Sequence, residues 1–213
     1  MSIELYVFPP SPRAFKVMAL ANHLDLDWTP RMVDLRKGDQ KTPAYAALNP
    51  NMRMPTLKDG DFVLWESNAI LQYLALKRPE SGLLPKDERA RLDVIRWQFW
   101  DLAHWESAAA VFIFEYVAKP LVRGSADPDL AAIAKATEPF HRAARVLDDQ
   151  LQGRKFITGD TLTVADFSLS AGLHLAEMAH LPIEPYAAIK RWFATLNALP
   201  AWHKTRAQAM GAP

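Results

Sequence analysis

The sequence predicts a chain in two parts, a small α/β layer with a mixed sheet followed by an all-α bundle. Three observations carry this. Strand and helix signals alternate through the first third, an Asp59-Gly60 pair sits between two short apolar runs, and beyond residue 86 apolar residues recur at helical spacing with no convincing strand. Pro79, Gly82 and Pro85 break the pattern between the two parts. The expected division is 1–78 for the sheet domain, 79–86 for a linker and 87–213 for the helical domain.

Each element has its own justification. Ile3 to Phe8 is a short run with aromatic and β-branched residues, read as a strand and closed by Pro9 and Pro10. Ser11 is a candidate N-cap, and Pro12 suits the first helical position because its missing N–H costs nothing there, so a helix is expected from Pro12 to about His23. Trp28 to Val33 reads as a second strand. Pro30 within it cannot donate to a ladder, which places that strand at a sheet edge. Residues 34–54 are read as irregular, broken by Gly38, Pro43 and Pro50. Thr56–Lys58 and Phe62–Trp65 flank Asp59-Gly60 as a hairpin. A helix is expected from Ser67 to about Lys77. Four helical stretches follow, over about 88–122, 128–151, 164–180 and 186–199.

Composition narrows the function. Half of the 213 residues are apolar and 23% are charged, a globular balance. A chain of this length buries about 70% of its unfolded surface and needs no staples. Twenty-five basic residues against 24 acidic give a net charge of +1, so bulk attraction to nucleic acid or anionic membrane is not expected. There is no cysteine, which excludes disulfides, thiolate metal sites and cysteine nucleophiles, and fits a reducing compartment. No apolar run approaches the ~20 residues of a membrane span, and Met1-Ser2-Ile3-Glu4 does not open a signal peptide. The expectation is a soluble cytoplasmic protein. His104 and His141 lack metal-ligand spacing with other His, Asp or Glu, so no metal is expected.

Three segments could carry chemistry. Ser11 stands at the mouth of the first helix, where a hydroxyl can cap the helix or hydrogen-bond an anion held by the helix dipole. Asn49-Pro50-Asn51-Met52-Arg53-Met54-Pro55-Thr56-Leu57 runs into a strand, and a cis Met54–Pro55 bond would turn the Met54 backbone outward as an edge that a peptide can pair with. Glu66-Ser67-Asn68-Ala69-Ile70 opens the next helix. There the Ser67 N–H and hydroxyl suit a carboxylate and Glu66 suits an ammonium, the two charges of an amino-acid head group. Trp97, Trp100 and Trp105 can be core and dimer packing or, with Phe112, an aromatic wall for an apolar co-substrate.

In order and spacing these segments resemble the glutathione transferase family. The matching pieces are Ser11-Pro12 with Val17, Asn49-Pro50 through Met54-Pro55-Thr56-Leu57, and Glu66 through Leu71 continuing to Tyr73-Leu74. Thr163-Val164-Ala165-Asp166 looks like that family's capping box, with Leu162 and Phe167 as its staple. His104-Trp105-Glu106-Ser107 and Phe114-Glu115 through Lys119-Pro120-Leu121 resemble the phi class and its bacterial relatives. The family commonly has Gly where this chain has Met52, and Gln or Lys where it has Arg53.

The resemblance implies a thioredoxin-like glutathione-binding domain, a helical domain serving a small hydrophobic electrophile, a homodimer and a detoxifying transferase of the serine type, phi-like or theta-like. The hydroxyl matching Ser11 would stabilise the glutathione thiolate, the catalytic role. Met54, followed by Pro55, would pair through its backbone with the cysteinyl part, Glu66 and Ser67 would hold the γ-glutamyl end, and Gln40, Lys41 and Arg53 would reach the glycyl carboxylate. Trp105 and Phe112 would contact the electrophile. Other classes carry a tyrosine at the position matching Val7. Tyr6, one residue away, points to the opposite face and is read as packing. Glutathione-dependent isomerisation or dehalogenation, and a non-catalytic binding or regulatory module, are the alternatives on the same fold.

Overall fold

The structure is a computed structural model and describes residues 2–124 and 127–209. It divides into two compact units, the first comprising residues up to Ser81 together with those from Leu199 onward, the second Gly82–Ala198.

The first unit is built on a four-stranded mixed sheet. Strand β1 (Ile3–Val7) leads through Ser11 into α1 (Pro12–His23), then β2 (Trp28–Met32). A 3₁₀ turn (Asp39–Lys41) and α2 (Pro43–Leu48) precede the hairpin β3 (Thr56–Asp59) and β4 (Phe62–Trp65), and α3 (Ser67–Leu76) follows. The order is β2-β1-β3-β4, with β1 parallel to β2 and antiparallel to β3. The strand holding Pro30 is an edge, where its missing donor is tolerated. Ile3, Leu5 and Val7 are buried while Glu4 and Tyr6 are half-exposed, the alternation of a one-sided strand.

The run read as irregular hides α2. Pro43 stands at its first turn as an opener, and the Thr42 hydroxyl accepts the Tyr45 N–H at 3.3 Å. Beyond Leu199, where the expected helical stretches end, the chain forms a further helix, α10 (Pro200–Ala209), which also begins on a proline. That helix packs on α1. Trp202 meets Phe15 edge-on at 5.1 Å, and Asn22 donates to Thr205 and Gln208 at 2.7 and 2.9 Å.

The second unit is helical. One continuous run comprises α4 (Glu88–Trp100), a π segment (Asp101–Trp105), α5 (Glu106–Ile113), a second π segment (Phe114–Ala118) and α6 (Lys119–Arg123). Helix α7 (Leu130–Leu151) begins on a capping Asp129. The stretch expected over 164–180 is α8 (Val164–Ser170) followed by a 3₁₀ turn (Ala171–Leu175), and α9 spans Ala187–Asn197. Asp166, in the first turn of α8, is fully buried. Its carboxylate accepts the Ile157 and Thr163 N–H groups and the Trp192 indole N–H at 2.9 Å each, and the Thr163 hydroxyl at 3.1 Å. Burial raises the Asp166 pKa, and these four donors oppose the rise. No helix among the described residues is long and apolar enough to cross a membrane.

Candidate functional site

A cleft of about 400 Å³ in the first unit gathers three segments that are far apart in sequence. The segment leading into β3 contributes Asn49, Asn51, Arg53, Met54 and Pro55. The mouth of α3 contributes Glu66 and Ser67, and the first turn of α1 contributes Arg13. Five residues expected from the sequence therefore share one wall: Arg53, Met54, Pro55, Glu66 and Ser67.

The turn before β3 is held from below. Asn49 is 3% exposed, and its amide donates to the Arg53 carbonyl at 2.6 Å and to the Thr56 hydroxyl at 3.2 Å. The buried Tyr45 hydroxyl donates to the same Arg53 carbonyl at 2.8 Å and lies 3.0 Å from Thr56. The Asn49 side chain also accepts the Asn51 N–H at 3.0 Å. This clamp satisfies the backbone up to Arg53, while the β3 ladder begins only at Thr56. Met54 lies between the two, and the Met54–Pro55 peptide is cis. Met52 adopts φ 51°, the left-handed region where a side chain costs roughly 1–2 kcal/mol and glycine costs nothing.

At the mouth of α3, Glu66 has φ 72° and ψ 111°, outside the regions a side chain normally adopts. Such strain persists only where the surroundings over-determine it, and it clusters at ligand sites. Ser67 is 3% exposed in the first turn of α3, so its N–H is one of the donors a helix start leaves without an intrahelical acceptor.

Ser11 is the N-cap of α1 by backbone geometry, and its carbonyl accepts the first helical N–H, from Phe15, at 2.8 Å. The capping hydrogen bond expected of its side chain is not formed. The hydroxyl is therefore not committed to the helix end. Tyr6 is committed elsewhere. Its hydroxyl donates to Glu4 at 3.4 Å, its ring meets Tyr45 at 6.1 Å, and burial raises its pKa, which disfavours a phenolate.

Other expected residues fall outside the cleft wall. Gln40 and Lys41 lie in the 3₁₀ turn. Lys41 is exposed, and the Gln40 Oε1 is buried without a hydrogen-bond partner among the described residues. Trp105 and Phe112 are interior side chains of the helical unit. Trp105 is 2% exposed, donates its indole N–H to the Leu169 carbonyl at 2.8 Å and meets Phe140 at 5.1 Å, and Phe112 meets the same ring at 5.5 Å. Both are buried in this unit, as the core-packing alternative left open by the sequence requires. The exposed aromatics of the same helical run are Phe99 and Phe114. Arg13 was not anticipated. The only signal for it is its place two residues after Ser11, on the first turn of a helix whose mouth faces the site.

A mixed sheet with a charged cleft at the mouths of its helices, followed in the chain by a helical unit, is a thioredoxin-like domain with a helical companion. Residues 1–76 match the sequence profile of the glutathione S-transferase N-terminal domain, and residues 131–195 match that of its C-terminal domain. Glutathione S-transferase 3 of Zea mays is 34% identical over 210 residues, covering 95% of this chain and 92% of that protein. Glutathione S-transferase D7 of Drosophila melanogaster is 28% identical, covering 95% and 88%. The crystal structure of a glutathione S-transferase from Pseudomonas fluorescens superposes with a TM-score of 0.85 at 30% identity, covering 94% of this chain and 97% of that one. The chain belongs to the glutathione S-transferase family, a family of enzymes.

Proposed function

We propose that this chain is a glutathione transferase of the serine type, phi-like or theta-like, acting on small apolar electrophiles. One observation carries the reading: the cleft wall sets Arg13 and Arg53 against a single carboxylate, Glu66, with the start of α3 beside them. At neutral pH glutathione carries two carboxylates and one ammonium, the complementary set. Glu66 takes the ammonium, Ser67 the γ-glutamyl carboxylate, and the Met54 backbone the cysteinyl amide, as a strand edge takes a peptide. Gln40 and Lys41, in the 3₁₀ turn and outside the cleft wall, are assigned to the glycyl carboxylate by the family resemblance.

Ser11 supplies the chemistry. Its uncommitted hydroxyl donates to the sulfur, and the positive end of α1 adds to the field. A free thiol has a pKa of about 8.5, and each unit of depression is worth ~1.4 kcal/mol in favour of the thiolate. The thiolate attacks an electrophilic carbon and displaces its leaving group. In the helical unit, Phe114 supports the electrophile role better than the interior Trp105 and Phe112.

The reading includes a homodimer in a reducing cytoplasm. Leu92 and Phe99 stand seven residues apart on α4 and are 63% and 69% exposed, and Trp97, Trp100 and Val146 line a cavity between α4 and α7. Phe62 and Trp65 on edge strand β4 are 47% and 38% exposed. Such apolar faces fit a partner surface. The test is a calorimetric titration with glutathione followed by conjugation of a chlorodinitrobenzene. Binding with consumption of glutathione supports the transferase. Binding with glutathione returned unconsumed by a substrate panel indicates an isomerase, and binding without turnover a regulatory module.

A further inference from the structure

Lys16 is the most unusual charge in the first unit. It lies in the second turn of α1 and is 1% exposed, among Ala14, Phe15, Val17 and Met18, which are all buried. An ammonium is costly to remove from water, and a buried one needs a hydrogen-bonding partner. Its Nζ donates to the Asn68 Oδ1 at 2.8 Å. Asn68 is 8% exposed and is the second residue of α3, immediately after Ser67 and two after the strained Glu66. The bond thus runs from the helix that begins at Ser11 to the turn that carries Glu66 and Ser67.

We propose that Lys16 is a positioning residue for the anion-binding start of α3. The inference rests on the reading of the cleft as a glutathione site with Ser67 at the γ-glutamyl carboxylate. Lys16 acts in two ways. Through Asn68 it fixes the first turn of α3, so that the Ser67 N–H and hydroxyl converge on one point. Its charge, held in low dielectric, also raises the potential felt by an anion at that point, because burial weakens screening. Both effects act on the γ-glutamyl carboxylate more than on the sulfur, which Ser11 serves from the other end of the ligand.

The experiment compares the full-length wild type with Lys16→Met, Lys16→Arg and Asn68→Ala. Calorimetry measures the Kd of glutathione and of its analogue lacking the γ-glutamyl α-carboxylate, well below each variant's unfolding temperature. Lys16→Met and Asn68→Ala are expected to weaken glutathione about tenfold. They should weaken the analogue less than twofold, so that discrimination between the two ligands collapses. Lys16→Arg should restore most of it. In turnover the loss should fall on KM for glutathione, with kcat within about threefold of wild type. If both truncations bind glutathione as wild type does, or weaken the two ligands equally, the positioning role is overturned and Lys16 is only a packing element. If Lys16→Met does not fold, Asn68→Ala and Lys16→Arg decide by the same ratio. A wild type that binds neither ligand overturns the glutathione reading itself, a different outcome from variants that bind as wild type does.

Discussion

Replacing Ser11 by alanine separates chemistry from stability, because the structure gives its hydroxyl no capping bond to lose. A lost N-cap costs ~1 kcal/mol, so its absence here predicts an unfolding free energy within about 0.5 kcal/mol of wild type. The catalytic cost is larger. A hydrogen bond to a charged group contributes about 1.5–3 kcal/mol, which is about one to two units of thiol pKa. If the helix end and hydroxyl together bring the bound thiol to about 6.5, the variant's thiol lies near 7.5–8.5. Well below pH 6.5 the thiolate fraction, and with it the rate, falls about ten- to a hundredfold. The direction follows from the charge. The donor stabilises the anion, its removal raises the pKa, and the deficit shrinks as pH climbs through the variant's pKa. The assay is the conjugation rate at saturating glutathione from acid to alkaline pH. Superimposable profiles, or a deficit equal at every pH, would refute the role given to this hydroxyl. A fall in Tm of many degrees would refute the statement that it is not a cap.

Further outcomes follow from the same geometry. Met52→Gly should raise stability by about 0.5–1 kcal/mol, or ~1–4 °C in Tm, because φ 51° is free for glycine, with glutathione affinity unchanged; calorimetric melting checks it. Arg13→Ala should weaken glutathione about tenfold at low salt and less at high salt, as loss of a cation from a partly open cleft requires, and titrations at two ionic strengths decide. Glu115 accepts the Asp129 N–H and the Lys119 ammonium, each at 2.8 Å, which holds its carboxyl below the usual range. The stability it contributes is present above its ordinary pKa and lost as pH falls through the lowered one. Glu115→Gln should therefore melt below wild type at neutral pH and converge with it in acid.

Much of the first unit was legible because its signals are local. Asp59-Gly60 dictates a hairpin, Pro30 confines β2 to an edge, and Pro12 opens α1. The two missed helices share a feature. Pro43 reads as a breaker and the last helical stretch stops at Leu199, yet each missed helix begins on a proline, which also stands at a helix start. Arg53, Met54, Pro55, Glu66 and Ser67 could be anticipated because each lies where a strand or helix begins. The clamp of Tyr45 and Asn49 on the Arg53 carbonyl could not, because no spacing reveals that a side chain reaches a carbonyl in the next turn. The burial of Trp105 and Phe112 could not be read from spacing, for a geometric reason. The π segments at Asp101–Trp105 and Phe114–Ala118 each shift the helix phase, so 3.6-residue counting along this run does not identify the outward face.

A thiolate held at the mouth of α1 is the central requirement of the proposed chemistry, and an ultraviolet difference titration of bound glutathione tests it most directly. The expected result is a thiolate band that persists below pH 7 at saturating ligand and moves to higher pH in Ser11→Ala. A band that appears only near the free thiol's pKa of about 8.5, in wild type and variant alike, would contradict it.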